Sequence, residues 1–111
     1  TLDSTIGGLG GIYKDDKNNG DYIIAVPDGS NLHTVKVDEE RKDAINGIID
    51  IVGPENALGV ITGIGKNNGN TNVDEVVKNA NVTDKEKDKI QKYLDTINGK
   101  GNGNGYQKYP I

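Results

Sequence analysis

Apolar residues recur along this chain in two rhythms. Residues 22–26 (YIIAV) are a continuous apolar run with the length and composition of a buried strand. Residues 32–37 alternate instead, with His33, Val35 and Val37 on one side and Leu32, Thr34 and Lys36 on the other. Pro27-Asp28-Gly29-Ser30 between them is a strong turn signal, so the two segments predict a hairpin. Upstream, residues 9–14 predict a third, frayed edge strand, with the pairs Gly7–Gly8 and Gly10–Gly11 flanking Leu9. A polar loop, KDDKNNGD, joins it to the hairpin, and its Asn19–Gly20 favours a tight turn.

Beyond residue 37 the rhythm becomes helical. Asp38 is a good N-cap, Glu39 and Glu40 suit the positive end of a helix dipole, and Gly53–Pro54 is a stop. Between them Ala44, Ile45, Ile48, Ile49 and Val52 form a stripe of 3.6-residue spacing, which predicts a helix over 38–52. Gly47 costs that helix about 1 kcal/mol relative to Ala and would allow close packing on the sheet. Residues 56–64 are ambiguous: Val60, Ile61 and Thr62 lean toward strand, while Gly59 and Gly63 interrupt either structure. A short helix is expected over 73–80, with Val73, Val76, Val77 and Ala80 on one side. The strongest helix is 83–97, where Thr83 and Glu86 have capping-box spacing and Ile90, Tyr93, Leu94 and Ile97 face inward.

These elements predict an α+β fold. A small antiparallel sheet, a three-stranded meander over 9–14, 21–27 and 31–37, packs against two to three helices. A fourth edge strand has a candidate at 106–111. The expected core comprises Ile23, Ile24, Val26 and Val35, then Ala44, Ile45, Ile48, Ile49 and Val52, then Val77, Ile90, Leu94 and Ile97. Residues 1–99 read as one α+β domain. Residues 100–111 read as a Gly/Asn-rich spacer ending in YQKYPI, with Tyr106 and Tyr109 as candidate interface anchors.

At an offset of 45, Val37, Lys42, Asp43, Ile45 and Asp50 recur as Val82, Lys87, Asp88, Ile90 and Asp95. The loops KNNGD and KNNGN are also alike. Duplication would explain both matches. Shared amphipathic spacing and Lys/Asn bias produce the same pattern, and the unequal strand content of the halves argues against duplication.

Composition narrows the chemistry. The chain has 111 residues and lacks Cys, Met, Phe and Trp. Disulfide frameworks, thiolate metal sites and cysteine nucleophiles are excluded. No apolar run approaches the ~20 residues of a membrane-spanning helix. The net charge is −4 and Arg41 is the only arginine, which argues against nucleic acid and anionic membranes as partners. Thr1 in first place and a Cys-free, Asn- and Gly-rich composition suggest a processed or trimmed chain in an extracellular or cell-surface setting.

The loop residues Asp15, Asp16, Asn19 and Asp21 supply the oxygen density that calcium requires, so Ca²⁺ is a candidate ligand. With Gly20 at the invariant glycine position of an EF-hand loop, Lys17 and Val26 fall where ligands belong. The run Asn68, Asn70, Asn72 and Asp74 is a weaker second candidate. Gly63-Ile64-Gly65-Lys66 departs from a phosphate-binding loop at two of four defining positions, Val60 and Asn67. His33 is the single histidine; Ser30 and Thr34 lie nearby in sequence, but strand neighbours point to opposite faces. Among 17 acids nothing singles out a catalytic pair.

The expectation is a non-catalytic binding or structural module that acts through contacts with a protein partner or by self-assembly. The alternatives are a calcium-stabilised module built on the Asp15–Asp21 loop and a small carboxylate-dependent hydrolase or ligand-binding domain.

Overall fold

A computed structural model describes residues 1–66, 71–78 and 80–98. It shows the expected α+β architecture. Strands β1 (Leu2–Thr5), β2 (Gly11–Lys14), β3 (Asp21–Asp28) and β4 (Asn31–Asp38) form one open antiparallel sheet in the order β1-β2-β3-β4. Helices α1 (Glu39–Val52), α2 (Ala57–Lys66), α3 (Val73–Val76) and α4 (Asp84–Ile97) follow, with a 3₁₀ turn at Pro54–Asn56.

The fourth strand comes from the N-terminus, not from 106–111, which lie outside the described residues. Residues 9 and 10 belong to the turn between β1 and β2 rather than to a strand. There Ile6 N–H donates to the Gly10 carbonyl at 2.9 Å and Leu9 N–H to the Ile6 carbonyl at 2.7 Å. Gly7 has a φ of 52° and lies against Pro54, where an added Cβ would come within 2.7 Å of the proline ring. The glycine run is therefore a docked turn, and β2 is an interior strand.

The β3–β4 hairpin closes through Gly29 and Ser30, and Gly29 takes the positive φ of 60° that short hairpin loops demand. Pro27 sits inside β3, paired with Leu32, rather than in the turn. It is tolerated because β2 ends its pairing at Ala25, which leaves that stretch of β3 with one neighbour.

Ile12, Ile24, Val26, Val35 and Val37 project from one sheet face into the core. Opposite them are Ala44, Ile45, Ile48, Ile49 and Val52 of α1 and Ala57, Val60, Ile61 and Ile64 of α2. The ambiguous segment is thus a helix. Its buried residues fall at the i, i+3, i+4, i+7 positions of a helical stripe, and that stripe outweighs the β-branched bias. Helix α3 is shorter than expected, ending at Val76.

Helix α4 packs on α1, which also touches the sheet. The expected capping box is present, with Glu86 N–H to Thr83 Oγ1 at 3.1 Å and Thr83 N–H to Glu86 Oε1 at 2.8 Å. Gly47 serves this helix pair rather than the sheet, because an added Cβ would meet the Tyr93 ring at 2.5 Å. Arg41 is buried beside the junction. Its Nη1 meets Asp38 Oδ2 at 2.9 Å and its Nε donates to the Ile97 carbonyl at 3.1 Å, tying the start of α1 to the end of α4. Among the described residues every strand precedes α1, so the two 14-residue helices stand in unlike surroundings.

Candidate functional site

The second face of the sheet carries an apolar surface. Cross-strand register arranges it in rows. Tyr13, Ile23 and Lys36 lie side by side, then Gly11, Ala25 and Thr34, then Pro27 and Leu32. Leu9 from the β1–β2 turn lines the same face. The middle row holds small side chains, so it forms the floor of a groove of about 890 Å³ between two apolar walls. Every described residue that lines the groove falls within the first 36 of the chain, so no described helix contributes to it. Leu32 is 62% exposed, Leu9 46% and Tyr13 40%, whereas Ala25 on the floor is 8% exposed. The Tyr13 ring lies over Gly11, where an added Cβ would come within 2.9 Å of it.

The loop after β2 borders this groove. Asp15 reaches across the sheet to Lys36, with 2.8 Å between Oδ2 and Nζ. Its carboxylate also accepts from the Lys17 backbone N–H at 3.0 Å and from Asn18 Nδ2 at 3.1 Å. The Lys36 ammonium, with these two donors, holds the Asp15 carboxyl well below the usual carboxylate range. Asp16 turns the other way, to the Thr1 hydroxyl at 3.1 Å. Asp21 begins β3, opposite Asp38, and Asn19 is exposed. Two of the four candidate calcium ligands, Asp15 and Asp16, thus have different partners. Among the described residues no three His, Asp or Glu side chains come together in a way that could hold a metal ion.

A cleft of about 740 Å³ lies on the helical side, between the hairpin tip, α2 and α3. Asp28, His33, Glu55, Thr62, Glu75 and Lys78 are on its walls. Gly59 and Gly63 widen it, since a Cβ at either would meet nothing within 4 Å. His33 Nε2 stands 3.4 Å from Asp28 Oδ2, at the long end for a hydrogen bond. Thr34 lines the opposite face of the sheet, so it forms no nucleophile–base pair with His33. Tyr106 and Tyr109 lie outside the described residues.

The open sheet face has a signal in the sequence, in β3. A strand covered on one side alternates apolar and polar residues, and a continuous apolar run suits a strand covered on both. Tyr22, Ile24 and Val26 face the helices, while Ile23, Ala25 and Pro27 face the groove. Both sets are apolar, yet the described helices cover only one. Comparison with protein-family models, with curated proteins and with solved structures gave no match for this chain.

Proposed function

We propose that this chain is a non-catalytic binding or structural module whose contact surface is the open face of the β1–β4 sheet. The observation that carries this reading is the two-sided apolar character of β3 in a sheet that the described helices cover on one side only. Exposed Leu32, Leu9 and Tyr13 concentrate on that face together with Ile23 and Pro27. Contiguous exposed apolar surface of this kind marks contact sites, whereas scattered single residues do not. The walls and small-residue floor give it relief, which a specific contact needs. An extracellular or cell-surface setting is proposed with it, on composition alone.

The test is a photo-crosslinking side chain placed at position 32, with a second placed at position 85 on the exposed outer surface of α4. Irradiation is carried out on the full chain, alone and in extract of the cells that produce it. The contact reading predicts discrete adducts from position 32 and none from position 85. Equal labelling from both positions, or none from position 32, refutes it.

A further inference from the structure

We infer that Asn19 is a site of spontaneous covalent modification, converted on the folded chain to aspartate and isoaspartate through attack by the Gly20 backbone nitrogen. Its basis is the contrast between two Asn-Gly pairs, Asn19–Gly20 and Asn46–Gly47. The Asp21 N–H donates to the Asn18 carbonyl at 2.9 Å, which closes a β-turn with Asn19 and Gly20 at its centre. The peptide between the two central residues makes no bond inside such a turn. Among the described residues no backbone carbonyl accepts from the Gly20 N–H. Both residues are exposed, and an added Cβ at Gly20 would meet nothing within 4 Å, so nothing crowds the approach. Gly47 is placed differently. It lies inside α1, where each N–H is committed to the carbonyl four residues back, and the Tyr93 ring presses against it. Reaction at Asn46 requires that the helix open first.

The chemistry needs water and no other co-reactant. The Gly20 amide proton is lost and its nitrogen attacks Asn19 Cγ. The new N–C bond closes a succinimide ring, and the side-chain nitrogen departs with that proton as ammonia. Water then breaks one of the two ring C–N bonds. Cleavage at Cγ leaves aspartate, and cleavage at the main-chain carbonyl leaves isoaspartate; no atom is oxidised or reduced. Glycine favours the ring because it has no Cβ to hinder closure. Either product adds one negative charge to a chain of net charge −4. Isoaspartate also lengthens the main chain of the turn by one methylene. Asp15, Asp16 and Lys17 of the same loop border the groove, so the charge arises at the margin of the open sheet face.

The experiment is a time course of the full chain in mildly alkaline buffer, native and unfolded in guanidinium chloride. Tryptic peptide mapping by mass spectrometry follows each asparagine, and electron-transfer fragmentation separates isoaspartate from aspartate. Cleavage after Lys17, Lys36 and Lys42 puts Asn19 and Asn46 in separate peptides. On the native chain Asn19 is expected to react at least about tenfold faster than Asn46. Unfolding removes the helix, so the ratio of the two rates should fall by at least about threefold. A native preference below tenfold overturns the inference. So does a smaller fall on unfolding, since the preference would then come from neighbours in sequence rather than from the fold. Asn19 reacting tenfold or more slowly on the native than on the unfolded chain also overturns it, because the turn would then protect the pair.

Discussion

Replacing Arg41 with methionine tests how the helical layer is held together. The guanidinium makes two interactions that an aliphatic side chain cannot. One is the 2.9 Å contact with Asp38, a partly exposed i, i+3 pair that contributes about 0.5–1 kcal/mol. The other is the 3.1 Å bond to the Ile97 carbonyl, at the end of α4 where no helical N–H remains to satisfy that group. Leaving a buried acceptor unsatisfied costs about 1–3 kcal/mol. Together they predict a loss of roughly 1.5–4 kcal/mol, or about 6–30 °C in melting temperature for a domain of this size. Arg41→Lys keeps the charge but not the fork that reaches both partners, so an intermediate loss is expected. Asp38→Asn retains a capping oxygen for the Arg41 N–H and removes only the ion pair, so it costs less than Arg41→Met. Urea unfolding at neutral pH measures all three. A loss under about 0.5 kcal/mol for Arg41→Met, or a larger loss for Asp38→Asn, refutes the idea that Arg41 bridges α1 and α4.

Further expectations follow from other contacts. Gly47→Ala should destabilise the fold by about 1–2 kcal/mol despite its helix propensity, because the new Cβ meets the Tyr93 ring; in a Tyr93→Ala background the same change should stabilise. Thermal melts of the four proteins in that cycle decide it. Ile61→Ala removes a fully buried α2 side chain and should cost about 2–5 kcal/mol, with Leu58→Ala, on the cleft, costing clearly less in the same unfolding assay. Asp15 has a depressed pKa in the folded state, so its contribution is present above the ordinary carboxylate pKa near 4 and is lost as pH falls below it. Urea midpoints from about pH 5 to pH 2 should therefore fall less steeply in Asp15→Asn than in the wild type. An equal slope in both would show that the Lys36 contact does not stabilise the fold.

Local rules made much of the fold legible. Asp38, Thr83 and Glu86 announced the starts of α1 and α4 because capping is a short-range matter of one side chain and one or two backbone groups. The β3–β4 hairpin was equally plain, although Pro27 drew the turn two residues early. Strand β1 was missed because LDST carries a single large apolar residue and gains its place by pairing with β2, a non-local event. Helix α2 is ambiguous in sequence because Gly59 and Gly63 are poor helix formers; both border the cleft, while Val60, Ile61 and Ile64 supply the burial that holds the helix. Ile23 was expected in the core by its company, but its strand parity places it on the groove face, where it is only half-buried. Arg41 was read for the chemistry it could not perform. Its contact with Ile97, 56 residues away, is the kind of information a local pattern does not hold.

The central proposal is that this protein makes its contacts through the open face of the β1–β4 sheet. Methyl NMR of the labelled, unaltered chain in buffer and in extract of the cells that produce it tests this most directly, since it reads every surface of the chain at once. The account predicts that extract shifts or broadens the methyls of Leu9, Ile23, Ala25 and Leu32, with those of Leu58 and Thr62 in the cleft unchanged. Shifts that appear at Leu58 and Thr62 while the four groove methyls stay fixed would contradict it.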